Sequence, residues 1–309
     1  MAVLAFVEPN EELSFQALSL ARDLGEPLHA FTVGDAAALG AYGVQTAHMP
    51  DDERLSAYAP AALAACLEQL IDQIQPTAVV AAGTNRGNEV LGHLAARRDL
   101  PFAANCIAVR SDGTVTRVRW GGSLLEEARI DSDLLIVSVA PHMVEASTVN
   151  GGSATPGKLE VAVDDADLVV RVVEHAETPS AGISLAEAKV VVSGGRGVGS
   201  ADGFGMLEEL AGLLNAAVGC SRVVTMAGWR PHTDQVGQTG TKVAPDLYIA
   251  CGISGATQHI AGCKGAKKIL AINSDAEAPI LASADYAVIG DLAEVVPAIT
   301  AELRKAQSS

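Results

Sequence analysis

Short apolar runs, none longer than a β-strand, alternate along this chain with stretches whose apolar residues recur at three and four. That alternation constrains the fold more than any other feature, because strands separated by helices pair in parallel and need helices on both faces to cover them. "AVLAFV" (2–7) precedes "ELSFQALSLARDLG" (12–25), where Leu13, Ala17, Leu20 and Leu24 line one helical face and Gly25 ends it. "LHAFTV" (28–33), an Ala-rich helix from about Ala57 to Gln75, "TAVVAAG" (77–83) and a helix from about Gly87 to Arg98 continue the rhythm. After Pro101 the pattern changes. "TVTRVRWGGSLLEEARI" (114–130) has two extended stretches around Gly121 and Gly122 and predicts a hairpin, so antiparallel strands join the sheet before "DLLIVSVA" (133–140).

"VVEHAETPSAGISLAEA" (172–188) is polar, holds Pro179 and Gly182, and shows no sustained period. It is expected to link two domains, residues 1–176 and 189–309, across 177–188, with a hinge at Thr178 to Gly182. Beyond it come "KVVVSGG" (189–195), a helix from about Phe204 to Ala216, "LYIAC" (247–251), a short helix after Ser254, "KILAIN" (268–273), "YAVIG" (286–290) and a closing helix from Leu292. The fold class is therefore α/β, with two doubly wound domains, the second on a parallel sheet.

Charge and composition exclude several functions. A formal charge of -16 over 309 residues, with only 4% aromatics, repels nucleic acid and leaves little for base stacking. The longest apolar runs, such as "LLIVSVA", stop at strand length, so no membrane insertion is expected. Cys66, Cys106, Cys220, Cys251 and Cys263 have no C-x-x-C or zinc spacing, which suits small buried hydrophobes in a reducing compartment. The expected location is the cytoplasm, or an organelle matrix if an import sequence has been removed.

In open α/β sheets ligands bind beyond the carboxyl ends of strands. The first domain offers "VVAAGTNRGNEV" (79–90), which reads better as a glycine turn with a helix cap than as an anion site. The second domain offers four such junctions. "VVVSGGRGVGS" (190–200) places Arg196 in a bare glycine loop, where a guanidinium suits phosphate. "VGCSRVV" (218–224) ends a strand with Ser221 and Arg222, and "VGQTGTK" (236–242) brings backbone close to a flat ring through Gly237, Gln238, Thr239 and Gly240. "CGISGATQH" (251–259) opens a helix with Ser254 and Gly255 and places His259 just beyond its first turn. Asn273 and Asp291 follow later strands. Each residue has an ordinary structural role available, such as Asp291 capping the last helix; their convergence on one sheet edge suits an elongated ligand with a pyrophosphate.

With "QVGQTG", "APDLYIA" and "GISGATQH" in that order, the second domain closely resembles the α subunit of electron transfer flavoprotein. The first domain resembles that family in organisation only. The resemblance implies an FAD in the second domain, a β subunit as heterodimer partner, flavin dehydrogenases as donors and a quinone reductase or another acceptor. It implies a carrier, not an enzyme with turnover of its own. By position, Arg196 would lie near the flavin and the subunit boundary; Ser221 and Thr239 would bond the isoalloxazine around N5 and O4, with Arg222 over the ring. Val236, Gly237 and Gln238 would line the cofactor beside Thr239. Ser254, Gly255, Ala256, Thr257, Gln258 and His259 would embrace the pyrophosphate and ring, while Asn273, Asp291 and Leu292 would contact the adenosine half. A cation at the N1–O2 edge favours an anionic flavin, and His259, if protonated, and Arg222 would supply it. The chain departs from the family in having Thr241 and then Lys242 where many members place Lys directly after "QTG", and in the basic, aromatic "AGWRPHTDQ" (227–235). That stretch is either a partner-specific surface or a loop with no special task. The alternative reading is an NAD(P)- or FAD-binding oxidoreductase subunit acting directly on a substrate.

Overall fold

The computed structural model describes residues 1–122, 124–174 and 183–307. The chain divides into two compact units, residues 1–176 and 177–309, each with its own sheet. The expected hinge, Thr178 to Gly182, lies outside the described residues. Within the rest of the expected linker, Leu185 and Ala188 are buried in the core of the second unit.

In the first unit, β1 (Val3–Phe6), α1 (Leu13–Leu24), β2 (Leu28–Phe31), β3 (Thr46–Pro50), α2 (Pro60–Ile74), β4 (Ala78–Ala82) and α3 (Asn85–Arg98) follow the expected alternation. Then come β5 (Phe102–Val109), β6 (Thr114–Arg119), β7 (Leu124–Arg129), β8 (Leu135–Val139) and β9 (Thr155–Leu159). The sheet order is β7-β6-β5-β8-β4-β1-β2-β3-β9, parallel except where β5, β6 and β7 pair antiparallel. The predicted hairpin is β6–β7, in register from Thr114↔Arg129 to Arg119↔Leu124. Strand β4 is buried at every residue, as a continuous apolar run covered on both faces requires. Ala17, Leu18 and Ala21 of α1 join the core on one face, and Leu63, Leu67 and Leu70 of α2 with Leu91 and Leu94 of α3 fill the other. The glycine turn after β4 is a helix cap, as expected: Thr84 Oγ1 accepts from Gly87 N–H at 2.8 Å, and its hydroxyl bonds the buried Glu8. Arg86 lies over the Tyr58 ring, 4.7 Å from its centroid.

The second unit runs β10 (Val190–Gly194), α4 (Phe204–Leu214), β11 (Ala217–Cys220), α5 (Arg222–Met226), β12 (Leu247–Cys251), α6 (Thr257–Cys263), β13 (Ile269–Asn273), β14 (Tyr286–Ile289) and α7 (Leu292–Gln307). All its strands are parallel, in the order β11-β10-β12-β13-β14. Phe204, Leu207 and Leu210 of α4 pack with Leu292 and Val296 of α7 on one face; Tyr248, Ala250 and Cys263 belong to the core on the other. The chain turns from β10 outward to β11 and then back to β12, so the connections diverge between β10 and β12. That divergence opens a crevice at the carboxyl ends of these two strands.

Candidate functional site

The crevice is walled by backbone in close contact. Gly195 and Gly197 donate to the carbonyls of Cys251 and Gly252 at 2.8 and 3.0 Å. A Cβ on Gly197 would stand 2.7 Å from Gly252 Cα, so this approach requires a residue without a side chain. Arg196 is thereby turned outward, exposed, with no ion-pair partner among the described residues. Arg196, Ser221, Ser254 and Asn273 line one cleft of about 280 Å³, together with Gly252 and Asp275.

Ser221 occupies the cap position of α5 but its side chain caps nothing. Its Oγ is buried and has no hydrogen-bond partner, a condition that costs about 1–3 kcal/mol unless a ligand relieves it. The next loop is tied to the end of β11 just before Ser221, since Val236 N–H donates to Cys220 O at 2.8 Å. The loop then closes on itself: Thr241 N–H donates to Gln235 O at 2.7 Å, and Gly240 N–H to Gly237 O at 3.2 Å. Val236 and Gly237 are buried in its base, while Gln238 and Thr239 stand exposed at its tip. Gln238 N–H donates to Gln258 O at 2.7 Å, joining the loop directly to α6.

Helix α6 starts at Thr257, later than Ser254 would place it, because Gly255 holds φ +85° and breaks the helical path. A Cβ there would also lie 2.3 Å from Ile280 N. Ser254, Ala256, Thr257 and Gln258 are therefore exposed ahead of and in the first turn, and His259 lies within that turn, not beyond it. His259 is buried. Its Nε2 bonds the Tyr248 hydroxyl at 2.8 Å, while Nδ1 has no hydrogen-bond partner. Burial pushes this imidazole down to about 4, opposed only by the backbone of Val236. Burial therefore favours the neutral ring in this enclosed position, while Arg222, exposed and without an ion pair among the described residues, is a cation that needs no such protonation.

The last expected residues divide differently. Asn273 Nδ2 donates to Ile253 O at 2.9 Å and its Oδ1 accepts from Asp275 N–H at 3.1 Å, so both ends of this amide already brace the cleft wall. Asp291 Oδ1 accepts from Ala293 N–H at 2.9 Å at the start of α7. Leu292 is buried behind Gly252, where a Cβ would meet its Cδ1 at 2.8 Å. In "AGWRPHTDQ", Arg230 bonds Asp234 at 2.8 Å and Glu208, and lies 5.4 Å from the Phe204 ring centroid, while Trp229 packs on the core. Those two side chains have a structural task. Sequence inspection missed Tyr248, Gln235 and Asp275. Tyr248 occupies a strand position indistinguishable from core, and the side chains of the other two gave no signal apart from their loops.

Residues 3–166 match the electron transfer flavoprotein domain, and residues 184–264 match the electron transfer flavoprotein FAD-binding domain. The chain belongs to the electron transfer flavoprotein α-subunit family. It is similar to the electron transfer flavoprotein subunit alpha of Syntrophomonas wolfei, 36% identical over 97% of this chain and 98% of that one. It is also similar to that of Mycobacterium leprae, at 37% over 96% of each, and to the protein FixB of Clostridium saccharobutylicum, at 33% over 95% and 91%. The family is one of electron carriers, and its FAD-binding domain falls on the unit that holds the crevice. The residues present fit FAD: Ser221 Oγ, which lines the cleft, and His259 Nδ1 are buried polar atoms without hydrogen-bond partners among the described residues. Among the described residues no helix is long and apolar enough to cross a membrane, and no cluster of metal-ligating side chains occurs.

Proposed function

We propose that this chain is the FAD-carrying subunit of a heterodimeric electron carrier. It pairs with an electron transfer flavoprotein β subunit, accepts electrons from flavin dehydrogenases such as acyl-CoA dehydrogenases, and passes them to a quinone reductase or another acceptor. The observation that carries this reading is that Ser221 Oγ and His259 Nδ1, two of the three buried polar atoms without partners among the described residues, lie with the third, Ser193 Oγ, in the FAD-binding unit. When bound, FAD supplies one- and two-electron transfer, and this chain supplies the hydrogen bonds and charge that set its potential.

Ser221 and Thr239 would donate hydroxyl bonds to the ring edge around N5 and O4. His259, its Nε2 bonded to Tyr248, would turn Nδ1 to the pyrimidine side. Arg222 would hold a fixed cation over the ring, and Arg196 would face the subunit boundary. Val236, Gly237 and Gln238 line the ring, and the stretch from Ser254 through Gly255, Ala256, Thr257 and Gln258 surrounds the pyrophosphate. Asn273 shapes the adenosine end through a braced amide, beside Asp291 and Leu292. The five cysteines, all buried and unbonded, suit a reducing cytoplasm.

The test is the visible spectrum of the chain purified with its co-expressed partner, followed through stepwise anaerobic reduction. A flavin band that bleaches in two separable one-electron stages supports the carrier. Steady-state turnover of a substrate with no dehydrogenase added would favour direct action on a substrate, and a colourless protein that takes up no added FAD would overturn the carrier reading.

A further inference from the structure

Gln235 is buried, 2% exposed, and its side-chain amide is engaged at both ends. Thr225 Oγ1 lies 2.6 Å from Gln235 Oε1 and 2.9 Å from Arg222 O, its single proton going to the shorter contact, and Gln235 Nε2 donates to Thr239 Oγ1 at 3.1 Å. Thr239 itself is exposed at the loop tip. A threonine hydroxyl on an exposed turn ordinarily rotates among three staggered positions. Here an amide buried beneath the turn occupies one lone pair of Oγ1, which leaves the hydroxyl proton free and aims it away from the amide. Because hydrogen bonds in a chain polarise one another, the donor at Thr239 is strengthened by the bond it accepts.

The backbone of Gln235 fixes the same geometry. Its carbonyl accepts from Thr241 N–H at 2.7 Å, and Cys220 and Gln235 form a parallel bridge beside Ser221. One residue therefore links the end of β11, helix α5 and the tip of the loop. We propose that Gln235 is a positioning residue that orients the Thr239 hydroxyl as a donor to the flavin ring, acting with Thr225 as its anchor. This rests on the FAD-binding reading of the site.

The test is a double-mutant cycle in the co-expressed complex, reading FAD dissociation by fluorescence and the flavin midpoint potential by dye-coupled titration. Gln235→Met and Thr239→Val should each weaken FAD binding about five- to tenfold, the effect of one net hydrogen bond. The double variant should bind no more weakly than Thr239→Val alone, because Gln235 works through Thr239. Both single variants should move the midpoint potential in the same direction. Additive losses, or a Gln235→Met complex with unchanged affinity and potential, would overturn the proposal. If Gln235→Met does not fold, Thr225→Val, on a partly exposed residue, should reproduce a smaller loss that disappears in the Thr239→Val background; an undiminished loss there would count against it. A parent complex that takes up no FAD overturns the function and this inference together, whereas a flavin-loaded parent with an indifferent Gln235 overturns the inference alone.

Discussion

The Tyr248 hydroxyl stands 2.8 Å from His259 Nε2, with the two rings inclined at 52° and both residues buried. Burial raises the phenol well above its ordinary range, so the tyrosine keeps its proton. If it donates that proton to Nε2, the ring proton of a neutral His259 sits on Nδ1; in the other tautomer Nε2–H donates to the phenol oxygen. Tyr248→Phe should leave Nε2 buried without a partner and destabilise the second unit by about 1–3 kcal/mol, measured by urea unfolding. Nitrogen-15 shifts of the histidine ring should show the single tautomer of the parent becoming a mixture.

The same burial gives stability a pH dependence. His259 is held down to about 4 in the folded chain, and an unfolded histidine titrates near its usual 6.5. Above about pH 6.5 neither state binds the proton and stability is unaffected; between about 6.5 and 4 only the unfolded chain takes it up, so stability falls as pH falls. The loss reaches roughly 3 kcal/mol once both states are protonated. Urea midpoints of the flavin-free chain at pH 7 and pH 5 should differ more for the parent than for His259→Gln, the remaining difference coming from His29 and His48, which burial also holds below their usual range.

Ser221→Ala has opposite expected effects on folding and binding. Removing a buried hydroxyl that has no partner should leave the flavin-free fold unchanged or slightly more stable, because the alanine has nothing to desolvate. FAD affinity should drop about tenfold, the worth of one ligand hydrogen bond. A loss of thermal stability in the flavin-free variant would instead mean that Ser221 serves as a helix cap.

Gly255→Ala tests the break before α6. The residue holds φ +85° and its Cβ would sit 2.3 Å from Ile280 N, so strain and collision add. The second unit should lose at least about 2 kcal/mol in thermal unfolding, and FAD retention should fall with it. Gly205→Ala, in α4 with open space around its Cβ, is the matched control and should be neutral or slightly stabilising.

Some elements were visible in the sequence because their physics is local. The buried strands β4, β10 and β12 are runs of apolar residues that nothing but a covered sheet can use, and β6–β7 declared itself through a glycine pair between extended stretches. Two edge-side strands were not visible. Thr46–Pro50 carries His48 on the strand, and Thr155–Leu159 includes Pro156 and Gly157; both pair because neighbouring strands accept them, not because their residues favour extension.

The site divides along the same line. The sequence by itself determined that a parallel α/β unit presents small, polar loops at one sheet edge, because backbone that approaches a ligand closely must lack side chains there. It also determined the family, through the order of those loops. Only the tertiary structure decided that burial favours a neutral His259, that Asn273 is already engaged, and that Gln235 stands beneath Thr239. Protonation and hydrogen-bond direction depend on what surrounds a group on every side, and Tyr248 and Gln235 reach their partners across loops and helices whose packing no local pattern records.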